Sequence, residues 1–494
     1  MPQPSYDVII IGAGVVGSLI ARALARYRLR ILLLDKAADV GEGTTKANTA
    51  IVHAGYDAKP GSLKARLNVA GQALYDTLCQ ELDVPLERCG TYVVALDEAE
   101  RATLQELYAR GQRNGVSGLQ ILPAAELRRR EPAISPDAVA ALYAPSGGLV
   151  DPFELCIAAA ENAVMNGVTL LLETEALDYV RQGDAIRGVV TNRGTFLGHW
   201  TIIAAGLWAD ELLHKAGIDD YVITPRKGEY MVLDRVAAQQ VHHVLFPCPT
   251  PVSKGILVTR TIHGNVMLGP NAQEVADKED LRTTSQGLDE VLQGALRLVP
   301  TLDTRHIIRT FAGLRAGGST GDFRIEIPQG LDGLLVLAGI ESPGLTASPA
   351  IAERVVAMLR EAGLPLIERP DYNPLRVGIP RFAQLDREQQ EALIAQDARY
   401  GHVVCRCETV TEAEIVAACH RPIPARTYDA IKRRTRLGSG RCQGAFDTPL
   451  VIGIMARELG VSPLEITKKG GASRFLARPT KEVTQDEREG REEL

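Results

Sequence analysis

Tyr6-Asp-Val-Ile-Ile-Ile11-Gly12-Ala-Gly14-Val-Val-Gly17 and, a little further on, Arg30-Ile-Leu-Leu-Leu-Asp35 decide the fold. Tyr6 to Ile11 is a continuous apolar, β-branched run, the mark of a strand covered on both faces in a parallel sheet. Three glycines follow at once, and residues 18–26 carry helical spacing in Leu19, Ile20, Ala23 and Leu24. The second apolar run ends in Asp35, 18 residues after Gly17. Strand, glycines, helix, strand and acid in this order predict a dinucleotide site in a doubly wound α/β domain. Gly12 makes the turn, Gly14 admits a pyrophosphate to the backbone, and Gly17 lets the helix pack on the strand. Asp35, with Lys36 after it, is expected to take a ribose hydroxyl.

Two later segments repeat the strand-then-glycine form. Thr201-Ile-Ile-Ala-Ala205-Gly206-Leu-Trp208-Ala-Asp210 is one, with hairpin patterns at 185–190 and 195–204 before it. Leu334-Leu-Val-Leu-Ala-Gly339-Ile-Glu-Ser-Pro-Gly344-Leu345-Thr346 is the other, opening a helix over 347–360. Three returns to one nucleotide-binding edge fit a large cofactor in a sheet interrupted by a substrate domain. The glycine fingerprint alone does not separate NAD from FAD.

The 494 residues suit two or three domains. Lys plus Arg number 55 and Asp plus Glu 61, a net charge of −6, which argues against an electrostatic nucleic-acid binder. No apolar run approaches the length of a membrane span and no basic leader opens the chain, so a cytoplasmic protein without a transmembrane segment is expected, with peripheral membrane contact left open. Of eight cysteines, Cys405, Cys407, Cys419 and Cys442 cluster near the end, a spacing that reads as metal or redox chemistry in a reducing compartment.

With Thr44-Thr45-Lys-Ala-Asn48-Thr-Ala-Ile-Val-His53-Ala-Gly55-Tyr56 after the acid, the order of motifs resembles the FAD-dependent oxidases of the D-amino-acid oxidase superfamily, over roughly residues 5–365. Within it the chain is most similar to the glycerol-3-phosphate dehydrogenase and oxidase branch, with L-2-hydroxyglutarate oxidase a near neighbour. The resemblance implies a Rossmann-type FAD-binding domain with an inserted α+β substrate domain. FAD-binding parts are expected at about 1–90, 150–220 and 305–365 of an oxidoreductase spanning 1–370, with Thr44, Thr45, Asn48, Ala205, Gly206, Gly339, Gly344, Leu345 and Thr346 joining the first glycines and Asp35–Lys36 around the cofactor. It also places the loop from Gly339 to Thr346 beside the flavin ring.

Oxidising a secondary alcohol needs a base for the hydroxyl proton, and the resemblance puts a catalytic histidine at His53. At Arg315, in Gly313-Leu-Arg315-Ala-Gly, it implies an arginine that clamps the substrate's anion. Lys254, before the hairpin pattern at 256–268, is a candidate second cation or a solvated turn residue; Arg260 alternates in that strand and could face either way. Ser342 and Ser348 read as donors to substrate or flavin, or as helix caps. Asp151 reads as the cap of a helix over 153–166, and His242, His243 and His263 carry no pattern that distinguishes them.

Pro365, Pro370, Pro374 and Pro380 space a connector, with a linker expected over 371–400. Cys405-Arg-Cys407, 34 intervening residues and Cys442-Gln-Gly444 resemble the bacterioferritin-associated-ferredoxin-like domain, expected over 401–460 as a small helical cysteine module. That family holds a 2Fe–2S cluster on four cysteines, but here the fourth position is Asp447. Three Cys and one Asp are the expected ligands, the harder carboxylate implying a lower-potential, more labile cluster; structural zinc or an empty remnant are the alternatives. Cys419 falls mid-helix and is a poor substitute. The basic run Lys432-Arg-Arg-Thr-Arg436 is a solvated helix face or a dock for an acidic electron-transfer partner, and the tail over 461–494 ends in a charged stretch expected to be disordered or partner-bound.

The expected function is an FAD-dependent dehydrogenase of a small anionic secondary alcohol, sn-glycerol 3-phosphate first. Electrons would pass to a protein or quinone acceptor, a second flavoprotein subunit being one candidate. Oxidation of L-2-hydroxyglutarate, another 2-hydroxy acid or an opine-type amine is the alternative, and an electron-transfer or docking subunit is the third reading.

Overall fold

In the computed structural model, which describes residues 5–249, 255–479 and 481, Tyr6–Ile11 forms β1, and Val8 to Ile11 are buried because both edges are paired. After α1 (Val15–Leu24) the chain returns as β2 (Ile31–Leu34), parallel to β1 on one side. Gly194–Ile203 lies parallel on the other side. Thr169–Leu171 extends the sheet beyond β2, and Leu334–Ala338 joins Gly194–Ile203 in parallel. The antiparallel strands Ala176–Gln182 and Ala185–Thr191 complete one edge, and Arg324–Glu326 pairs with Leu334–Ala338. All three segments read as nucleotide-edge strands therefore lie side by side, although 322 residues lie between Ile11 and Leu334.

β3 (Ile51–Val52) pairs with Gly148–Val150, which also pairs with Leu86–Glu87 in a small sheet. α2 (Leu63–Leu82), Pro152–Met165 and Gly344–Glu361 pack with α1 as a helical layer. A second sheet of nine strands carries the inserted part. Its long antiparallel pair is Ile223–Leu233 with Ile307–Gly318, the strand that bears Arg315. Alternation along that pair buries Lys227, Glu229, Met231 and Leu233 on one side, while Arg226, Tyr230, Phe311 and Arg315 share the other by register. The architecture is the mixed α/β fold expected.

The chain divides after Gly378 into two compact units. In the second unit Arg387–Gln396 forms a helix with an Asp386–Gln389 capping box, inside the stretch read as linker. Val403–Cys405 and Val410–Thr411 form a short hairpin, and Glu412–Cys419, Tyr428–Thr435 and Thr448–Leu459 are helices around one apolar core.

Two local expectations are corrected here. Cys419 is the last residue of its helix, not a mid-helix one. The basic run 432–436 is not a solvated face: Arg433 and Arg434 are buried, and no residue from 427 to 440 is exposed. Arg434 donates to the carbonyls of Ala430 and Ile423, Lys432 to Gly438 O, and Arg436 to buried Glu408, so the cations stitch the helix to the cysteine loops. Lys254 and nearly all of the charged tail from 478 onward lie outside the described residues. No described helix is long and apolar enough to cross a membrane.

Candidate active site and cysteine centre

The glycine turn leaves no room for side chains. Gly12 has φ +108°, and a Cβ there would meet Ala204 O at 2.4 Å; one on Gly17 would meet Gly12 O at 1.9 Å. Gly14 is the N-cap of helix α1 and offers no side chain to cap it, so the helix N-terminus opens at the turn, where helix ends favour anions. Asp35 fixes that turn: Oδ2 accepts Ala13 N–H at 2.7 Å and Oδ1 accepts Ala37 N–H at 2.9 Å. Burial pushes its carboxyl up, against those two N–H bonds. Each oxygen keeps a lone pair for a ribose hydroxyl. Lys36 Nζ lies 3.5 Å from the Trp208 ring centroid, joining the acid's neighbour to the turn at Gly206–Trp208 that follows Ala205. A tight backbone turn at a helix N-terminus with an adjoining carboxylate is what a dinucleotide requires.

The loop from Thr44 to Asn48 is held by its own bonds. Asn48 Nδ2 donates to Thr44 O and Thr45 O, its Oδ1 accepts Ala50 N–H, and Thr45 Oγ1 accepts Val15 N–H at 3.1 Å. Thr44 Oγ1 donates to Leu314 O at 2.8 Å, and a Cβ on Gly313 would sit 2.2 Å from Ala47 O. This loop thus ties the strand that bears Arg315 to β3, whose next residue is His53.

His53 is set by the loop that returns 290 residues later. Its N–H donates to Thr346 Oγ1 at 2.9 Å, and Thr346 Oγ1 donates to Ile51 O at 3.2 Å. Asn68 Nδ2 donates to His53 O, and Ser342 Oγ lies 3.4 Å from His53 Nε2. The ring also lies 6.0 Å from that of Phe246. Gly339 has φ +66°, and Leu345 O accepts the hydroxyls of Tyr75 and Ser348, so the turn into Gly344–Glu361 is anchored from both sides. Arg315 Nη2 donates to Asn271 O at 3.2 Å and lies beside Tyr230; burial pushes the Tyr230 hydroxyl up and the nearby guanidinium moderates it.

Four pairings escaped the sequence reading. Ser342 sits at His53, where the sequence offered only a cap or ligand donor. Asp151 caps its helix as expected, with Oδ1 taking Phe153 N–H and Glu154 N–H, but its Oδ2 also meets His263 Nε2 at 2.7 Å. Lys64 Nζ meets Glu341 Oε1 at 2.8 Å, pinning the residue before Ser342 to α2. Asp322 accepts the N–H groups of Leu63 and Lys64 at the start of α2. Spacings of 112 to 289 residues leave no local signal for such pairs. His243, equally unmarked, bonds buried Glu131.

In the second unit the donors fall in two pairs. Cys407 Sγ and Cys442 Sγ are 2.9 Å apart, while the Asp447 carboxylate lies beside Cys405, whose thiol burial pushes up to about 12. Gly438 N–H donates to Cys405 Sγ at 3.4 Å, and a Cβ on Gly440 would meet Cys407 Cβ at 2.7 Å. Asp447 is buried; Oδ1 accepts Tyr428 OH at 2.7 Å, but Oδ2 has no hydrogen-bond partner. Among the described residues no three ligating side chains gather about one ion. Two donor pairs, a backbone N–H aimed at sulfur and a bare buried carboxylate oxygen fit a two-iron group.

Comparison with known proteins assigns both parts of the chain to families. Residues 7–358 match the family described as FAD dependent oxidoreductase, and residues 403–444 match the BFD-like [2Fe-2S] binding domain. Glycerol 3-phosphate dehydrogenase of Caloramator mitchellensis is 45% identical over 480 residues, 97% of this chain and 100% of that protein. L-2-hydroxyglutarate dehydrogenase of Salmonella houtenae is 33% identical over 296 residues, 58% of this chain and 69% of that one. The dithionite-reduced L-alpha-glycerophosphate oxidase of Mycoplasma pneumoniae with FAD bound superposes with a TM-score of 0.72 at 31% identity, covering 76% of this chain and 99% of that chain. The chain therefore belongs to the FAD-dependent oxidoreductase family and carries a 2Fe–2S binding domain of the BFD-like kind behind it.

Proposed function

We propose that this enzyme oxidises sn-glycerol 3-phosphate to dihydroxyacetone phosphate and passes the electrons to a separate acceptor. One observation carries the substrate: a glycerol 3-phosphate dehydrogenase matches the chain at 45% identity from end to end, cysteine module included. When bound, FAD supplies the two-electron acceptor. Gly12, Gly14 and Gly17 would hold its pyrophosphate and Asp35 with Lys36 its ribose. Thr44, Thr45, Asn48, Ala205, Gly206, Gly339, Gly344, Leu345 and Thr346 would line the rest.

His53 takes the hydroxyl proton at a ring nitrogen, with Thr346 fixing its backbone and Ser342 its imidazole. Arg315 holds the substrate's anionic group through its guanidinium fork, and Lys254 adds the second charge that a phosphate dianion rewards. Fixing the remote anion sets the carbinol carbon in place before reaction, which lowers the barrier by orientation.

Cys405, Cys407, Cys442 and Asp447 are the proposed cluster ligands, and the cluster is the exit toward a protein or quinone acceptor, with a second flavoprotein subunit as one such partner. None of the eight cysteines is paired in a disulfide, the state that a reducing cytoplasm favours.

A second substrate reading has its own support. L-2-hydroxyglutarate dehydrogenases are relatives, and the Arg315 fork accepts a carboxylate as readily as a phosphate. Anaerobic visible spectra with each compound decide. Loss of the flavin band with glycerol 3-phosphate and not with L-2-hydroxyglutarate supports the proposal; the reverse pattern replaces the substrate.

A further inference from the structure

Exposed apolar side chains scattered singly mean little, but a cluster over a redox loop is different. Phe446 is 86% exposed and Leu450, four residues on, is 51% exposed. Ala445, just before Phe446, and Pro449, just before Leu450, are exposed too. This patch spans the turn after Cys442 and the first turn of the helix Thr448–Leu459, with Asp447 between its two halves and buried. It is confined there, because the rest of the helix shows solvent only Gly453 and Arg457 before its last residues.

Two arginines of the cysteine loops reach solvent. Arg406, between Cys405 and Cys407, and Arg441, before Cys442, are both exposed. The nearby carboxylates are turned inward: Glu408 is buried against Arg436 and Asp447 against Tyr428. The basic run 432–436 has no exposed residue and contributes no docking face.

We propose that Phe446 and Leu450, flanked by Arg406 and Arg441, form the docking surface for an acidic one-electron acceptor protein. The inference rests on the proposed Cys405, Cys407, Cys442 and Asp447 ligand set. An aromatic and aliphatic centre with arginines at its edge is the make-up of a protein interface, and the cationic rim selects a partner ringed by carboxylates. A lipid surface would call for a longer amphipathic face than one turn. Each alcohol oxidised releases two electrons and two protons, so two acceptor molecules are each reduced by one electron in turn at this surface.

The test uses the full FAD- and iron-loaded chain with glycerol 3-phosphate and three acceptors: the soluble domain of cytochrome b5 (acidic), cytochrome c (basic) and a small dye that accepts directly from flavin. Phe446→Ser and the pair Arg406→Glu with Arg441→Glu are compared with the parent. The expected result is at least a ~10-fold loss in the second-order rate with cytochrome b5, with flavin bleaching, cluster bleaching and dye reduction unchanged, and a salt-sensitive parent rate. Charge reversal should also raise the rate with cytochrome c.

Equal cytochrome b5 rates in parent and variants overturn the surface, as does a parent rate that ignores salt. If Phe446→Ser instead stops substrate from bleaching the cluster, the patch serves the chain's own flavin unit. If it abolishes binding to anionic vesicles, the patch serves a membrane. Either outcome overturns the proposal. A parent chain with no cluster spectrum is a different failure, that of the ligand set itself.

Discussion

Ser342 Oγ lies 3.4 Å from His53 Nε2, across 289 residues of sequence. A serine at that distance would orient the imidazole of the proposed base, and catalytic hydrogen bonds often tighten only when substrate arrives. His53→Ala should therefore retain flavin yet bleach at least ~100-fold more slowly with substrate, the low end of general-base contributions. Ser342→Ala removes one orienting bond of about 1 kcal/mol, so a rate loss of roughly fivefold is expected. Anaerobic stopped-flow absorbance reads both. Parent-like bleaching in His53→Ala would remove it as the base.

This pair also marks where the sequence becomes silent. β1, the glycine turn, α1, β2 and Asp35 were legible because their signals are local: an apolar run, glycines at fixed offsets, a 3.6-residue period. The cysteine module was legible for the same reason, through spacing. The contacts of Ser342, Glu341 and Asp322 depend on how distant strands come together, and no periodicity encodes that. The run 432–436 misled for a physical reason. Five residues with four cations read as solvated, yet the backbone carbonyls of Ile423 and Ala430 and a buried Glu408 supplied partners that let arginines go inside.

Asp322 makes a test of pH. Burial raises its carboxyl, but N–H bonds from Lys64, Leu63 and Phe323 outweigh that and hold it below its usual value of 3.8. A depressed folded value means the stabilisation is complete above the unfolded value and disappears as pH falls through the folded one. Asp322→Asn offers one oxygen where Leu63 and Lys64 use two, and should cost about 1 kcal/mol near neutrality. Unfolding midpoints of parent and variant should converge below about pH 4. A gap that persists in acid would mean the carboxylate's charge is not what holds the start of α2.

Gly17 and Gly43 separate a required glycine from a tolerated one. A Cβ on Gly17 would press on Gly12 O at 1.9 Å, a backbone atom that cannot swing aside, whereas one on Gly43 meets nothing within 4 Å. Overpacking of this kind costs about 1–3 kcal/mol and here distorts the cofactor turn itself. Gly17→Ala should purify with little flavin and Gly43→Ala with a full complement, read from the ratio of visible to ultraviolet absorbance. Equal flavin in the two would detach the turn from cofactor binding.

Asp447 gives the sharpest test of the cysteine centre, because its geometry is unfavourable without iron. A buried carboxylate oxygen lacking a hydrogen bond costs free energy, and protein groups supply a partner only to Oδ1, through Tyr428. Iron at Oδ2 would remove that cost and exploit the Cys405 sulfur beside it. Asp447→Ala should then lose most of its iron while flavin bleaching by substrate is unaffected. Asp447→Cys, which restores the softer sulfur donor, should hold about two irons per chain at least as firmly as the parent. The iron-free protein should respond the opposite way, with Asp447→Asn raising the unfolding midpoint because the bare charge is gone. Iron content that is identical in Asp447→Ala and the parent would take Asp447 out of the ligand set and leave the cluster on three cysteines and an outside ligand.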